Sequence, residues 1–411
     1  MKGGGGLFLP LFFNGWVIEM CSNIDNQKQF LDTLPLYQLP CHQPTPHIRS
    51  PKQAKPIRLA VPGTDEQLPR PYKIMSNICK IDTCAHFNGA LDSKDVLWLW
   101  GGSGGGVTED GEYSLDVLPE LDRVPQKAMD RVECFAMGAS HILCVTKDHR
   151  LWSWGRNSFG QLGTGDFKPR ESPTIVMEDV IAVYAGISNS YALTSDHSLW
   201  GWGCNFDRIL LNEHDASLRD ERFNLHPVHI MDDVVSFSST GYSSYVIRSD
   251  GSLWGWGLDN SDGWFQLERG KPKKIWENTK KSANDIDLAN GFGFILSDDG
   301  DLYSYGVSVP GSLVPYRIRN RIGRYPIKVL SDVCDVTCGR YFSLIKMKDN
   351  SLYSSGANEY GQCGLGRTTE AFYKPKFVMN DVAQVSAGIL HGMALQTNGD
   401  LWIWGRGYEH S

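Results

Sequence analysis

Residues that could perform catalysis or bind a metal occur in this sequence, but no group of them has the spacing that such chemistry needs. The closest cysteine pairs, Cys79-x4-Cys84 and Cys334-x3-Cys338, have no second pair and no His-x3-His partner at zinc-ligand spacing. The glycine-rich run at 101–106 lacks the Lys-Ser/Thr ending of a phosphate-binding loop. The sequence therefore predicts neither a metal site nor a bound cofactor.

The histidines are scattered along the chain. His141 and His391 occupy one position of a repeated segment, where other copies have Asn189, Ser243 and Phe342. Such variation is typical of a structural hydrogen bond and not of a general base. We predict a protein that is not an enzyme. The alternative is a hydrolase or lyase seated in a central channel, and three polar residues clustered there would favour it.

Two segments between predicted strands carry charge of a single sign. Residues 102–122 contain acids and no lysine or arginine, whereas residues 307–324 contain arginines and no acid. Such loops can steer a partner protein of complementary charge, although ordinary solvated loops give the same pattern. The candidate partner-binding residues are Glu109, Asp110, Glu112, Asp116, Tyr316, Arg317, Arg319, Arg321 and Arg324.

The elements that position these loops are marked by a pentapeptide, Leu151-Trp152-Ser153-Trp154-Gly155, which recurs along the chain. Seven copies follow one another at steps of 48 to 54 residues, a period typical of repeat architectures. They begin at Leu97, Leu151, Leu199, Leu253, Leu302, Leu352 and Leu401. Ten of the thirteen tryptophans occupy the two aromatic positions, which lie on one face of a strand because they are two residues apart. This period indicates packing between repeats rather than a ligand platform.

Each repeat reads as four short strands. In one copy an apolar segment at 173–176 precedes an alternating strand at 180–186, a third strand at 191–194 and the tryptophan strand. Pairs such as Asp148-His149 and Asp250-Gly251, before the tryptophan strand, predict type I′ hairpin turns. The predicted fold class is all-β: a seven-bladed β-propeller of four-stranded antiparallel blades.

The first seventy residues lie outside the repeat. Recurrent prolines between 34 and 71 are typical of linkers, so we predict a low-order extension over 1–70 and a propeller over 71–411. The apolar run at 7–18 lacks the flanks of a signal peptide and is shorter than the roughly twenty residues of a membrane span.

The last residues, Tyr408 to Ser411, stand where a seventh glycine-rich loop would begin. Either the ring closes without that loop, or the sequence is part of a longer protein. Without a closing segment, the first and last blades would meet by side-chain packing alone.

Composition narrows the class of protein further. The net charge of -7 argues against general nucleic-acid binding, which needs a surplus of basic residues. Ten cysteines follow no even framework and mostly fall in predicted strands, which indicates reduced core residues in a cytoplasmic protein. We expect a monomer.

Two loops show a resemblance to a known family. They read Asn157-Ser158-Phe159-Gly160-Gln161-Leu162-Gly163 after the second pentapeptide and Asn358-Glu359-Tyr360-Gly361-Gln362-Cys363-Gly364 after the sixth. With Gly138-x-x-His141 and Gly388-x-x-His391, they resemble the repeat of the regulator of chromosome condensation family, over about residues 71 to 408. The resemblance implies a seven-bladed propeller, although the loops of the third and fourth units depart from the motif.

The resemblance does not assign an activity, because the family includes an exchange factor for the GTPase Ran, a plant ultraviolet receptor, ubiquitin-ligase modules and a secreted β-lactamase inhibitor. We predict a non-catalytic scaffold that binds another protein on its inter-blade loop face. The resemblance leaves three alternatives: an exchange factor or regulator for a small GTPase, a secreted inhibitor or adhesin, and an enzyme with a channel active site.

Overall fold

The chain divides into two units in the computed structural model, which describes residues 10–13, 16–19, 68–84, 87–101, 106–107, 113–114, 125–205, 208–211, 222–239, 243–258, 266–284, 292–306, 310–313 and 326–406. The smaller unit comprises Met1–Ala54 with Gly106–Ser114, and the larger comprises Lys55–Gly105 with Leu115–Ser411. In the smaller unit, β1 (Pro10–Phe13) pairs antiparallel with β2 (Trp16–Glu19), and β7 (Gly106–Val107) pairs with β8 (Tyr113–Ser114). The other residues of 1–67 lie outside the described part, so the predicted low-order extension stays a prediction.

The larger unit confirms the predicted fold class, because its described strands form seven antiparallel sheets of four. Blade 1 consists of β4 (Ile78–Cys84), β5 (Phe87–Asp92), β6 (Leu97–Gly101) and β9 (Gln126–Met129). Blade 2 consists of β10 (Val132–Met137), β11 (His141–Thr146), β12 (Leu151–Gly155) and β13 (Arg170–Met177). Blade 3 consists of β14 (Val180–Ala185), β15 (Asn189–Thr194), β16 (Leu199–Cys204) and β17 (Phe223–Met231). Blade 4 consists of β18 (Val234–Ser239), β19 (Ser243–Arg248), β20 (Leu253–Gly257) and β21 (Lys273–Trp276).

The remaining three blades have the same strand order. Blade 5 consists of β22 (Thr279–Asn284), β23 (Phe292–Ser297), β24 (Leu302–Gly306) and β25 (Ile327–Leu330). Blade 6 consists of β26 (Val333–Gly339), β27 (Phe342–Met347), β28 (Leu352–Asn358) and β29 (Thr369–Met379). Blade 7 consists of β30 (Val382–Ala387), β31 (His391–Gln396), β32 (Leu401–Gly405) and β3 (Leu68–Met75). The first strands of neighbouring blades contact one another around the ring, which makes them the inner strands.

A sequence repeat and a blade are offset by one strand. The sequence predicts the apolar segment at 173–176 as the opening strand of the third unit, but β13 pairs with β12 and is the outer strand of blade 2. In the same way β3, at the start of the repeat region, pairs with β32, with Tyr72 opposite Ile403 and Met75 opposite Leu401. This strand is the closing segment, so the ring is closed by backbone pairing and does not depend on side-chain packing alone.

The hairpin turns between the second and third strands are confirmed, but the predicted type I′ geometry is wrong. A type I′ turn needs positive φ at both residues of the pair, whereas only His149 (φ 60°) and Gly251 (φ 76°), the second members, have it. The His149 N–H donates to the Thr146 carbonyl at 2.8 Å, which closes a type I turn followed by one left-handed residue. The first member caps the turn instead, since Asp250 Oδ1 accepts the Ser252 N–H at 2.8 Å.

The two tryptophan positions have different environments. The second position, such as Trp202 and Trp256, is fully buried between blades, which confirms the predicted packing role. The first position is half-buried, and there the indole N–H turns toward the hairpin: Trp254 Nε1 donates to Ser252 Oγ at 2.8 Å. Six blades are therefore held by one aromatic ring in the core and by a second one near the hairpin, whereas blade 6 has Ser355 at the core position.

Candidate partner-binding face

The nine residues predicted to bind a partner lie outside the described part of the chain, so they stay a prediction. They are Glu109, Asp110, Glu112, Asp116, Tyr316, Arg317, Arg319, Arg321 and Arg324.

Every blade presents connections at two opposite ends of its antiparallel strands. We define the loop face as the end that carries the connections between first and second strands and between third and fourth strands. The hairpin face carries the hairpins between second and third strands and the turns between blades. All fourteen connections of the hairpin face are described, and five of the long loops of the loop face are described in full or in part.

The repeated loop motif builds a rigid frame on the loop face. Asn358 is fully buried; its Oδ1 accepts the Cys363 N–H at 2.9 Å, and its Nδ2 donates to the Arg367 carbonyl at 2.8 Å. Gln362 Oε1 accepts the Tyr360 N–H at 3.0 Å. The blade 2 loop repeats these contacts with its own Asn and Gln. The Asn and Gln residues that recur in both loops therefore hold the loop backbone and are not free for a ligand.

The same loops bind the next blade. Trp202 Nε1 donates to the Gln161 carbonyl at 2.9 Å, and Trp404 Nε1 donates to the Gln362 carbonyl at 2.8 Å. In blade 3 the decayed motif keeps this bond, because it uses a backbone carbonyl rather than a side chain: Trp256 Nε1 of blade 4 donates to the Ile209 carbonyl at 2.9 Å. The buried tryptophans thus hold these loops in place by hydrogen bonds to their backbone carbonyls.

The histidines of the Gly-x-x-His segments are structural, as the sequence predicts. His141 Nε2 lies 2.8 Å from Ser190 Oγ of the next blade, and burial lowers the pKa of His141 from 6.5 to about 3. The imidazole is therefore neutral at physiological pH. At Gly138, a Cβ atom would collide with the His141 ring, which explains why glycine stands three residues before the histidine.

Polar side chains of blades 1 and 7 meet at the junction of the two blades. His391 Nε2 lies 2.7 Å from Thr83 Oγ1 and 2.9 Å from Asn88 Oδ1, and Ser386 Oγ accepts the Thr83 N–H at 3.1 Å. A cluster of this kind is what the enzyme alternative needs. All four side chains are at most 8% exposed, so a substrate has no access to them. The cluster joins two blades by hydrogen bonds.

Asp82 extends this junction to blade 2. Its Oδ2 accepts the Met137 N–H at 2.8 Å, and its Oδ1 lies 3.4 Å from Ser386 Oγ. Burial raises the pKa of the Asp82 carboxyl from 3.8 to about 6, because desolvation outweighs these hydrogen bonds. The group titrates near neutral pH and links three blades.

On the loop face of blades 6 and 7, three arginines each lie over an aromatic ring. The guanidinium carbon is 5.6 Å from the ring centroid for Arg340 over Tyr341, 5.5 Å for Arg367 over Phe372, and 4.7 Å for Arg406 over Tyr360. These distances are within the range of cation–π attraction. We call these six residues the arginine–aromatic patch.

Backbone contacts bring the members of the patch together. The Arg340 N–H donates to the Ile389 carbonyl at 3.1 Å, and the Arg406 N–H donates to the Leu390 carbonyl at 2.9 Å. Tyr360 packs against the same buried pair, Ile389 and Leu390. The two arginines and Tyr360 therefore surround one connection of blade 7.

Arg367 joins the patch through the blade 6 loop, where its carbonyl accepts a hydrogen bond from Asn358. Neither Arg367 nor Arg406 forms an ion pair with any carboxylate in the described ranges. The Arg406 Nε atom is buried and has no hydrogen-bond partner there. Arg367 and Arg406 are thus cationic groups that no carboxylate of the described residues neutralises.

A second patch, of aromatic residues, lies on the loop face of blades 2 and 3. The Phe223 ring centroid is 5.5 Å from that of Phe167 and 6.1 Å from that of Phe159, and the Arg222 guanidinium lies over Phe223 at 5.7 Å. Phe167 is 46% exposed. Two loops with one framework motif therefore expose different side chains, Phe167 in blade 2 and Arg367 in blade 6.

The described loop-face segments of blades 6 and 7 hold more basic than acidic residues. They contain Arg340, Arg367 and Arg406 and one acid, Glu359. The connections of the hairpin face hold seventeen acidic and five basic residues. Around blades 6 and 7 the loop face therefore suits a partner with negative charge.

The described residues show no other chemical centre. Within them, no group of three or more His, Cys, Asp or Glu side chains is arranged to hold a metal ion. Of the eight cysteines in these ranges, five are buried as expected for core residues, but Cys79 is exposed. The described part of the chain contains no helix with the length and apolarity to cross a membrane.

The arginine–aromatic patch was not predicted, because its residues come from three separate segments of the chain. Arg340, Arg367 and Arg406 are each isolated in the sequence and form no run of like charge within one loop. A detectable signal exists, since Arg406 directly follows the tryptophan strand at the position that Arg156 occupies in blade 2. The position of Arg340, beside Ile389, depends on the packing of blade 6 against blade 7 and has no such signal in the sequence.

Fold and site together define a class of protein, a β-propeller with buried tryptophans. Its polar motif residues support the fold. On its loop face, Arg367 and Arg406 have no carboxylate partner in the described residues. Models of the regulator of chromosome condensation (RCC1) repeat match residues 148–193 and 349–395, and a second model of this repeat matches residues 132–161 and 333–362. The matches begin in blades 2 and 6, where the loop motif is intact, and extend into blades 3 and 7. These stretches match RCC1 repeats, which supports the predicted resemblance to the RCC1 repeat family.

Relatives of this family align with most of the chain. The ultraviolet-B receptor UVR8 of Arabidopsis thaliana is 26% identical over 82% of this chain and 66% of its own length. The guanine nucleotide exchange factor SRM1 of Saccharomyces cerevisiae is 25% identical over 70% of this chain and 59% of its own length. The matched part thus spans less than two thirds of either relative.

A solved structure supports the fold. Prp20p from Saccharomyces cerevisiae, described with its binding to Gsp1p and histones, superposes with a TM-score of 0.60 at 20% identity. The superposition covers 81% of this chain and 83% of that one.

Proposed function

We propose that this propeller is a non-catalytic scaffold that binds another protein through its loop face. The observation that carries the proposal is the arginine–aromatic patch, where Arg367 and Arg406 have no carboxylate partner in the described chain although the protein as a whole is acidic. Charged groups left unpaired on a rigid frame are a common basis of partner specificity. The relatives add support, since Prp20p binds the proteins Gsp1p and histones.

Affinity capture with matched charge reversals tests the proposal. The loop-face variant carries Arg340→Glu, Arg367→Glu and Arg406→Glu, and the control carries Lys94→Glu, Lys147→Glu and Lys348→Glu on the hairpin face. Both variants change the charge equally. We expect the wild type and the control to retain a saturable protein partner that the loop-face variant loses. Retention by both variants, or loss by both, would contradict binding through the loop face.

Regulation of a small GTPase is a second candidate, supported by the alignment with a guanine nucleotide exchange factor over 70% of this chain. Release of a fluorescent guanine nucleotide from a panel of small GTPases tests it directly. Accelerated release identifies an exchange factor, whereas binding without acceleration supports a scaffold. A cytoplasmic location belongs to the proposal and is supported by the burial of five cysteines among the described residues; cell fractionation tests it.

A further inference from the structure

The arginines of the patch are held in a form that suits carboxylate recognition. A guanidinium that lies on an aromatic ring has one planar face covered, while its N–H groups remain in the plane and point outward. This fork matches the two oxygens of a carboxylate, which accept two parallel hydrogen bonds. Arg367 and Arg406, whose guanidinium carbons lie 5.5 Å and 4.7 Å from their ring centroids, are the two arginines of the patch that have no carboxylate partner in the described residues.

The frame beneath the patch limits the motion of these side chains. Asn358 and Gln362 tie the blade 6 loop to itself, and Trp404 ties it to blade 7. The patch therefore stands on a rigid frame, and such preorganisation lowers the entropy cost of binding a partner.

We propose that the arginine–aromatic patch recognises carboxylate side chains of an acidic segment in the partner protein. The inference rests on the proposed function and adds the chemistry of the partner. An acidic protein segment is favoured over nucleic acid, because the net charge is -7 and the hairpin face carries seventeen acids against five basic residues. A general nucleic-acid binder needs an extended basic surface, whereas a few stacked arginines suffice for carboxylates.

Fluorescence anisotropy with a labelled deca-glutamate peptide tests this inference on the full chain. One variant carries Arg367→Gln with Arg406→Gln, and a second carries Arg367→Lys with Arg406→Lys. The control carries Lys147→Gln with Lys348→Gln, which removes the same charge from the hairpin face. Equal thermal midpoints of all four proteins show that the fold is intact.

We expect the double Gln variant to bind deca-glutamate at least about tenfold more weakly, and the control to stay within about twofold of wild type. The double Lys variant falls between them, since lysine keeps the charge but loses the planar fork. The inference is wrong if the wild type does not bind the peptide or if the double Gln variant binds it equally well. Tighter binding of a deca-thymidine oligonucleotide than of deca-glutamate would also overturn it, in favour of a phosphate-binding surface.

The two proposals can fail separately. If affinity capture depends on the loop face but deca-glutamate is not bound, the partner is recognised by another chemistry and the scaffold proposal stands. If deca-glutamate is bound but capture does not depend on the loop face, the scaffold proposal falls.

Discussion

The acids of the hairpin face support the turns that carry them, whereas two arginines of the loop face, Arg367 and Arg406, pair with no acid of the described residues. Asp196 accepts hydrogen bonds from Thr194 Oγ1 at 2.6 Å and from the Ser198 N–H at 3.1 Å, and equivalent acids recur in other blades. Arg367 and Arg406 instead lie over aromatic rings with no carboxylate partner in the described chain. A charged surface therefore does not by itself indicate a binding site. Charged side chains that have no partner of opposite charge in the same protein are the better indicator.

The largest expected effect compares the tryptophan that supports the loop face with the one that supports the hairpin face. Trp256 is fully buried and donates to the Ile209 carbonyl at 2.9 Å, while Trp254 is half-buried beside its hairpin. Trp256→Ala should lower the free energy of unfolding by about 3–5 kcal/mol, and Trp254→Ala by roughly half of that. Urea unfolding measures both. Equal losses would show that the two faces depend equally on their tryptophans.

The next effect concerns pH, because the pKa of Asp82 is raised whereas the pKa of the hairpin acid Asp349 is lowered. Burial raises the pKa of Asp82 to about 6, so its contribution to stability is full below the unfolded pKa of 3.8 and is lost as pH rises through about 6. Hydrogen bonding by Ser351 lowers the pKa of Asp349, so that contribution is present above 3.8 and is lost on further acidification.

Asp82→Asn should therefore raise the free energy of unfolding at pH 7 by up to about 3 kcal/mol, with no gain near pH 4. The amide oxygen of Asn can still accept the Met137 N–H, so the junction keeps this bond. Asp349→Asn serves as the control and should show no gain at pH 7. Urea unfolding between pH 4 and pH 8 measures the difference. A constant offset between wild type and Asp82→Asn across this range would contradict the raised pKa.

A smaller effect separates the loop frame from the hairpin caps. Asn358→Ala leaves buried backbone groups, such as the Cys363 N–H, without partners, and should cost about 1–3 kcal/mol. Asp349→Ala removes a cap from an exposed turn where water replaces the lost acceptor, so its cost should be clearly smaller. Thermal unfolding ranks the two variants. The reverse order would mean that the hairpin face carries more of the stability than its exposure suggests.

Much of the fold could be predicted from the sequence, because the rings at Trp202 and Trp256 must be buried once per blade and therefore recur at the period of the fold. The offset between repeat and blade could not, since a periodic pattern has no intrinsic starting strand. Only the pairing of β3 with β32, which joins residues more than 300 positions apart, defines it. The arginine–aromatic patch could not be predicted from the sequence for a similar reason, because the packing of neighbouring blades brings Arg340 and Arg406 together.

The smallest expected effect tests whether paired charge on the hairpin face is functionally silent. Lys147 Nζ lies 3.2 Å from Asp95 and 3.1 Å from Glu133, but all three side chains are largely exposed, and such ion pairs contribute little. Lys147→Gln should leave both the unfolding midpoint and the captured partner unchanged. Arg406→Gln should also leave the midpoint nearly unchanged, but it should weaken capture because its charge is not used by the fold. Thermal unfolding and affinity capture of the two variants provide the comparison. A loss of capture with Lys147→Gln would show that a lysine already paired with Asp95 and Glu133 also contributes to binding. The presence or absence of an intramolecular ion pair would then no longer explain how the two faces differ.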